Sequence, residues 1–143
     1  MKSFTANYNK AQLGYTLIEL MIVIAIISIL AATAISTYHD YIVRTRASEA
    51  VVAGAAVKKI VTQNIADNGG AMPTNACTGF SDIKTATKNV VSIECNATTG
   101  VITIFTTAKA GATTFIWTPT TTLNGVYWVC SSNIAKYAPK NCR

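Results

Sequence analysis

An apolar run near the N-terminus constrains the fold more than any other feature of this sequence. From Tyr15 to Ile35, about 21 residues contain a single charged side chain, the carboxylate of Glu19. At about 1.5 Å rise per residue, a helix of this length spans the roughly 30 Å hydrocarbon core of a bilayer. The run therefore predicts a membrane helix. Glu19 suggests a function, because a carboxylate in hydrocarbon is costly.

The segment before this run, residues 1–14, has a different composition. It is polar, carries Lys2 and Lys10, and ends at Gly14. It has no apolar core of its own, which indicates an address segment rather than part of a fold. An ordinary secretory signal cleaved at Ala32-Thr33-Ala34 is the competing interpretation. The apolar run is, however, longer than the usual signal core of roughly 7 to 15 residues.

The residues at the start of the run carry a resemblance to a known family. Gly14-Tyr15-Thr16-Leu17-Ile18-Glu19-Leu20 resembles the class III signal sequence of type IV pilins, which has a cleavage point after Gly, then an aromatic residue, and Glu at the fifth mature position. The resemblance is strongest from Gly14 to Tyr41, about a fifth of the chain. Within it, Tyr15, Ser28 and Ser36 replace the more usual Phe, Gly and Pro.

The resemblance implies how the chain is processed and assembled. A prepilin peptidase would remove the leader, residues 1–14, and methylate the new amino group of Tyr15. Residues 15–41 would form the transmembrane and filament-core half of the helix, in which Glu19 meets the amino terminus of an adjacent subunit. The other implied partners are further copies of the chain, in a helical homopolymer, and an inner-membrane assembly platform with its ATPase. The precursor would cross the inner membrane once, and the assembled protein would lie in an extracellular pilus.

The helical pattern continues beyond the apolar run. Apolar residues recur at alternating steps of four and three, namely Val43, Ala47, Ala50, Gly54, Val57 and Val61. A second apolar line consists of Ile42, Ala53, Ala56 and Ile60, so part of this segment is apolar nearly all round. We therefore predict one helix to about Asp67. One side would pack on a sheet and the other on a partner, since a small head covers only one side.

The C-terminal half predicts an antiparallel sheet. Asn68-Gly69-Gly70 is expected to end the helix. Four β-rich runs follow an irregular connection, at Val90 to Cys95, Val101 to Thr107, Thr113 to Thr118 and Val126 to Cys130. Pro119 is predicted to close the third strand. Residues 42–143 would thus form the globular head of an α+β protein with the type IV pilin fold, a long N-terminal helix packed on a four-stranded antiparallel sheet.

Four cysteines, all after the apolar run, indicate disulfides formed in an oxidising compartment. Cys77, Cys95, Cys130 and Cys142 allow three pairings. We choose the pairing of near neighbours, Cys77 with Cys95 and Cys130 with Cys142. The second pair resembles the disulfide-bounded C-terminal loop of pilins. Closing a loop of about a dozen residues stabilises a head of this size by roughly 3 kcal/mol in the chain-entropy model.

The charged and potentially catalytic residues limit the functions that this chain can have. The net charge is +6, and Lys136, Lys140 and Arg143 form a candidate patch for anionic ligands such as DNA or acidic glycans. The competing interpretation of these side chains is a solvated face that keeps the subunit soluble. His39 is the only histidine, and the sequence contains no recognisable metal site or phosphate loop. We predict no cofactor and no enzymatic activity.

The expected function follows from the resemblance. It implies a structural subunit of a type IV pilus, which polymerises through its N-terminal hydrophobic helix into a cell-surface filament for adhesion, twitching motility or DNA uptake. Host or surface receptors are further candidate partners. The alternatives are a minor pilin, a type II secretion pseudopilin, or a secreted binding module released after Ala34. The loop bounded by Cys130 and Cys142 favours a major pilin.

Overall fold

Residues 14–84 and 87–143 are described by a computed structural model of the chain. The predicted leader therefore lies outside the described residues, apart from Gly14. The chain divides into two compact units, of which the first ends at Thr37 and the second runs from Tyr38 to Arg143.

In the described part of the first unit, residues 17–37 are helical and exposed. One α-helix, α1, extends over Leu17–Asp67 and so contributes to both units. Its most apolar window has no buried residues, and Ile29 and Ile35 are each 70% exposed. In the part of the chain that the structure describes, α1 is the one helix long and apolar enough to span a membrane. Helical structure continues through Ser28, whose hydroxyl donates to the carbonyl of Ile24 at 2.7 Å.

In the second unit, α1 packs with the face that the sequence predicts. The six residues of the first apolar line are all buried, and Ile65 extends that line by one more turn. The second line stays at least partly exposed. Ala56 is exposed and Ile42, Ala53 and Ile60 are intermediate, while Val52 beside them is 72% exposed. The helix therefore has one covered side and one open side.

Four antiparallel strands cover the buried side of α1. They are β1 Val90–Cys95, β2 Ile102–Thr106, β3 Thr114–Thr122 and β4 Gly125–Ser132, and they lie side by side in chain order. Ile102, Ile104 and Phe115 are fully buried in one cluster with the helix residues. Short 3-10 turns occupy Ala108–Ala110 and Lys140–Cys142. The predicted α+β architecture is confirmed.

The predicted end of the third strand at Pro119 is wrong. β3 continues to Thr122, and Pro119 pairs with Trp128 of β4. The reason lies in the register, because β2 pairs with β3 only as far as Trp117. Beyond that residue β3 has β4 on one side and no registered strand on the other, and proline is tolerated at such an edge. The β3–β4 hairpin thus extends past β2 to a tip at Leu123, which is fully exposed.

Two disulfides close loops within the second unit. Cys130 is bonded to Cys142 across a sequence separation of 12, which confirms the predicted C-terminal loop. Ser132 fastens the same loop, since its hydroxyl donates to the carbonyl of Cys142 at 2.7 Å. Cys77 is bonded to Cys95 across a separation of 18, which ties the connection after α1 to the end of β1.

Gly54 is a point of close approach between α1 and the sheet. A Cβ atom at this position would collide with Cδ1 of Ile104 and would lie 3.7 Å from Nε1 of Trp117. A side chain at position 54 would therefore have to displace core atoms. The glycine lets the helix backbone lie directly on β2 and β3.

We expect Gly54→Val to lower the free energy of unfolding by about 1 to 3 kcal/mol, because added methyl groups overpack a filled core. Guanidinium chloride unfolding of the full chain in detergent measures this value. Ala55→Val is the matched control, since the neighbouring position is exposed. Equal losses in the two variants would contradict the close-packing explanation.

Candidate functional site

The start of α1 brings Thr16 and Glu19 together. The backbone N–H and the hydroxyl of Thr16 each donate to Oε2 of Glu19 at 2.8 Å. In return, the N–H of Glu19 donates to Oγ1 of Thr16 at 3.3 Å. This reciprocal arrangement is a capping box, which satisfies backbone donors that a helix start leaves unpaired. The negative charge of Glu19 is also favoured there by the helix dipole.

Sequence reasoning missed the role of Thr16, although the signal was present. Thr16-Leu17-Ile18-Glu19 is the T-x-x-E pattern that precedes an apolar run at a capped helix start. The cap gives Glu19 partners within its own chain. It does not exhaust the carboxylate, which has about four acceptor positions on two oxygens. Glu19 can therefore hold the cap and still accept from a further donor.

Gly14 and Tyr15 lie ahead of the helix. Residues 14–16 have no regular secondary structure, and Tyr15 is 85% exposed. In the described part of the chain, no atom beyond Gly14 and its chain neighbours lies within 4 Å of the point where a Cβ of Gly14 would stand. The peptide bond at which cleavage is predicted thus lies in an open segment.

The C-terminal loop places Lys136 against α1. Its Nζ lies 2.9 Å from Oδ2 of Asp40, and this hydrogen bond raises the pKa of Lys136 above its ordinary value. The guanidinium of Arg44 donates to the carbonyl of Lys136 at 2.8 Å. These contacts fasten the loop to the helix, so Lys136 is only in part a free surface charge.

The other two members of the predicted anionic-ligand patch are placed separately. Lys140 is exposed at the start of the last 3-10 turn. Arg143 is also exposed, and its Nε donates to the carbonyl of Ala138 at 3.1 Å. Lys140 and Arg143 are thus accessible, whereas Lys136 forms an ion pair with Asp40. Binding of an anion by the three together stays a prediction.

A cation–aromatic cluster in the head was also not expected from the sequence. Nζ of Lys58 lies 3.7 Å from the ring centroid of Trp117 and 5.4 Å from that of Trp128. Nε1 of Trp128 donates to Oγ1 of Thr62, one helical turn further along. Partial burial lowers the pKa of Lys58, while the ring faces attract its positive charge. The cluster helps to hold β3 and β4 on the helix.

Possible catalytic or metal-binding groups are dispersed. Across residues 14–84 and 87–143, no three His, Cys, Asp or Glu side chains lie close enough to share a metal ion. His39 is exposed on α1, one residue before the Asp40 that binds Lys136. The most developed sites in the described chain are thus the capped, uncovered helix start and the fastened C-terminal loop.

Two protein-family sequence profiles match the chain. A profile described as pilin, bacterial filament, matches residues 43–143, which is more than half of the sequence. The chain belongs to the pilin family. The second profile, the prokaryotic N-terminal methylation motif, matches residues 9–35 of this pilin. That range contains Gly14, Tyr15 and Glu19 and supports the resemblance to a class III signal sequence.

Individual relatives agree with the family assignment. The fimbrial protein EcpC of Eikenella corrodens is 39% identical over 142 residues, covering 94% of this pilin and 92% of the relative. The type IV major pilin protein PilE1 of Neisseria gonorrhoeae is 39% identical over 95 residues, 66% of this pilin and 58% of the relative. The type IV major fimbrial protein FimA of Dichelobacter nodosus is 50% identical over 68 residues, 48% and 42% of the two chains. The matches to the last two thus span about half the length of those relatives.

These findings confirm the type IV pilin resemblance and the pilin fold. They also confirm that the chain is a structural subunit rather than an enzyme, since pilins and these relatives are structural proteins. The names of the relatives favour neither a pseudopilin nor a secreted binding module.

We expect Thr16→Val to weaken the start of α1 by about 1 kcal/mol, the usual value of an N-cap side chain. Hydrogen exchange of the full chain in detergent would show roughly fivefold lower protection of the first-turn amides. Thr33→Val is the control, because the Thr33 hydroxyl donates to the carbonyl of Leu30 inside the helix. Unchanged first-turn protection in Thr16→Val would show that the box does not stabilise the helix start.

Proposed function

We propose that this pilin is cut between Gly14 and Tyr15 by a prepilin peptidase, methylated on Tyr15, and assembled into a type IV pilus. The observation that carries the proposal is the uncovered first half of α1. About 20 residues of helix expose apolar side chains on all sides, far more than the few hundred Å² that a soluble monomer usually exposes. Such a surface needs lipid before assembly and copies of itself afterwards.

The open side of α1 in the head extends the same argument. Tyr41 and Val52 are 66% and 72% exposed, and the small residues Ala55 and Ala56 are exposed as well. Small residues let helices approach closely, so this side suits packing against other subunits. The sheet covers the opposite side of the helix, which leaves this one for contacts between copies.

Moving the apolar helix from lipid to a fibre gains little hydrophobic free energy, because the two surroundings are about equally apolar. Assembly then depends on close packing, polar pairing and work supplied from outside the subunit. We assign that work to an inner-membrane assembly platform with its ATPase. The two disulfides support passage of the head through an oxidising space, which for an inner-membrane precursor is the periplasm.

We propose that Glu19 provides the polar pairing between neighbouring subunits. Its carboxylate would accept from the methylated amino group of Tyr15 in an adjacent subunit while the capping box keeps its orientation fixed. A buried charge without a partner costs several kcal/mol, so this pair would enforce the register of neighbouring helices. The free acceptor positions on Glu19 make both roles compatible.

We propose that the filament serves in adhesion, twitching motility or DNA uptake. The accessible Lys140 and Arg143 favour contact with anionic partners, including DNA or acidic surface receptors. Repetition along a fibre would multiply a weak contact into useful avidity.

Filaments sheared from cells and analysed by N-terminal mass spectrometry test this proposal. We expect an abundant chain that begins at methylated Tyr15. A chain that begins at Ile35, or one that is absent from filaments, would refute it.

We expect Glu19→Gln to retain the cap but to impair filament formation, because glutamine fills the capping-box position without a charge. Glu19→Val should lose the carboxylate half of the capping box as well as the filaments, and both variants should still insert and be processed. Quantifying sheared filaments and membrane-bound mature subunit separates the two roles. Wild-type piliation by Glu19→Gln would exclude the charge pair and leave only the cap.

Replacing Gly14 by a bulky residue, as in Gly14→Leu, should block removal of the leader, because the peptidase must approach the open segment around this bond. Immunoblots would then show the precursor in the membrane and no shorter form. Ala55→Leu, at an exposed helical position of the head, controls for a general effect of introducing a bulky side chain. Normal maturation of Gly14→Leu would place the cleavage site elsewhere.

A further inference from the structure

The end of the head that follows the apolar segment carries a group of five basic residues, which we call the basic collar. Its members are Arg44, Arg46, Lys88, Lys109 and Lys136. The two arginines on α1 hold the other segments through main-chain contacts. Nη2 of Arg44 donates to the carbonyl of Lys136 at 2.8 Å, and Nη1 of Arg46 donates to the carbonyl of Lys109 at 3.3 Å.

Lys88 joins the collar through the loop that follows β2. The Thr107 hydroxyl donates to the carbonyl of Lys88 at 3.1 Å, and the Thr107 N–H donates to the carbonyl of Asn89 at 3.0 Å. Lys109 follows two residues later in the Ala108–Ala110 turn. Nδ2 of Asn89 in turn donates to the carboxylate of Glu49 on α1. Segments that are distant in sequence thus meet along one stretch of helix.

The collar carries excess positive charge. Asp40 binds Lys136, and Glu49 accepts from Asn89, so two carboxylates face five basic side chains. The hydrogen bonds of Arg44 and Arg46 go to neutral carbonyl oxygens, which orient a guanidinium without neutralising it. Within the described ranges, the Lys136–Asp40 contact is the only ion pair.

The collar follows the apolar segment closely in the chain. Arg44 and Arg46 follow Thr37 by seven and nine residues. Long basic side chains can place their charges in a headgroup layer while their stems lie along apolar surface. Tyr38 and Tyr41 lie in the intervening turn and are 68% and 66% exposed. Tyrosine is enriched at the interface between membrane and water.

We propose that the basic collar binds anionic phospholipid headgroups of the leaflet from which the head emerges, while the subunit waits in the membrane. Basic residues next to a membrane helix are attracted by anionic lipid over roughly one Debye length. The lipid contacts fix the depth of the subunit and must be given up when it enters a fibre. Anionic lipid therefore opposes extraction. The inference rests on the membrane-inserted precursor proposed above.

A soluble polyanion would also be attracted by these charges. Two observations favour the membrane as the partner. Arg44 follows Thr37 by only seven residues in the chain, and the exposed Tyr38 and Tyr41 lie among those residues. A nucleic-acid site requires neither feature.

The test uses the full chain in phosphatidylcholine vesicles that contain trace spin-labelled phosphatidylglycerol or spin-labelled phosphatidylcholine. Electron paramagnetic resonance measures how strongly each labelled lipid associates with the protein. We expect a preference for phosphatidylglycerol of about fivefold, the effect of one basic residue at an anionic surface, or more. Added salt at about 0.5 M should abolish most of it.

The variant Arg46→Gln with Lys109→Gln should reduce this preference at least twofold, because it removes two of the five charges. Lys59→Gln with Lys84→Gln is the matched control, since it removes the same charge from exposed positions outside the collar. The control should keep the wild-type preference. Circular dichroism and retained disulfides would show that both variants are folded.

Three outcomes would overturn the inference. These are no lipid preference in the wild type, a loss in the control as large as that in the collar variant, and displacement of the lipid by a DNA duplex at equal phosphate concentration. Flotation of the vesicles shows whether a negative result refutes only the lipid-binding collar or also the proposed membrane-inserted precursor. A chain that does not float with vesicles refutes the membrane-inserted precursor and the collar together, whereas an inserted chain without preference refutes only the collar.

Discussion

The structure depends on the packing of one helix that is covered on one side only. From Val43 to Ile65, small and branched side chains of α1 lie against β2 and β3, and Gly54 lets the backbone approach Ile104. Before Tyr38 every residue of the same helix is exposed. The second half of the helix is therefore stabilised within the folded head, whereas the first half requires another apolar environment. Membrane residence and polymerisation both follow from that requirement.

The sequence predicted those features that depend on periodicity. The apolar line from Val43 to Val61 identified the buried face correctly because a helix repeats every 3.6 residues and buries one stripe. β1 was predicted at its observed bounds, since Val90 to Cys95 is bounded by turn residues. The sheet order followed from short connections between consecutive strands.

Features that depend on register or on side-chain contacts could not be obtained in this way. Pro119 was assigned to a strand end because the sequence does not show that β2 stops pairing at Trp117. The contact of Lys136 with Asp40 joins residues 96 positions apart in the chain, and no local pattern predicts it. The Thr16–Glu19 box is different, since its signature was visible and was overlooked in favour of an assembly role.

The hairpin of β3 and β4 that continues past β2 gives the molecule a site that tolerates change. Its outer part hydrogen-bonds mainly within itself, and the tip at Leu123 contributes nothing to the buried core. Residues added between Leu123 and Asn124 would lengthen a turn that already lies in solvent, with a small entropic penalty for the larger loop. Epitopes, fluorophore-binding peptides or affinity handles could be placed there without disturbing the contacts that hold the sheet on the helix.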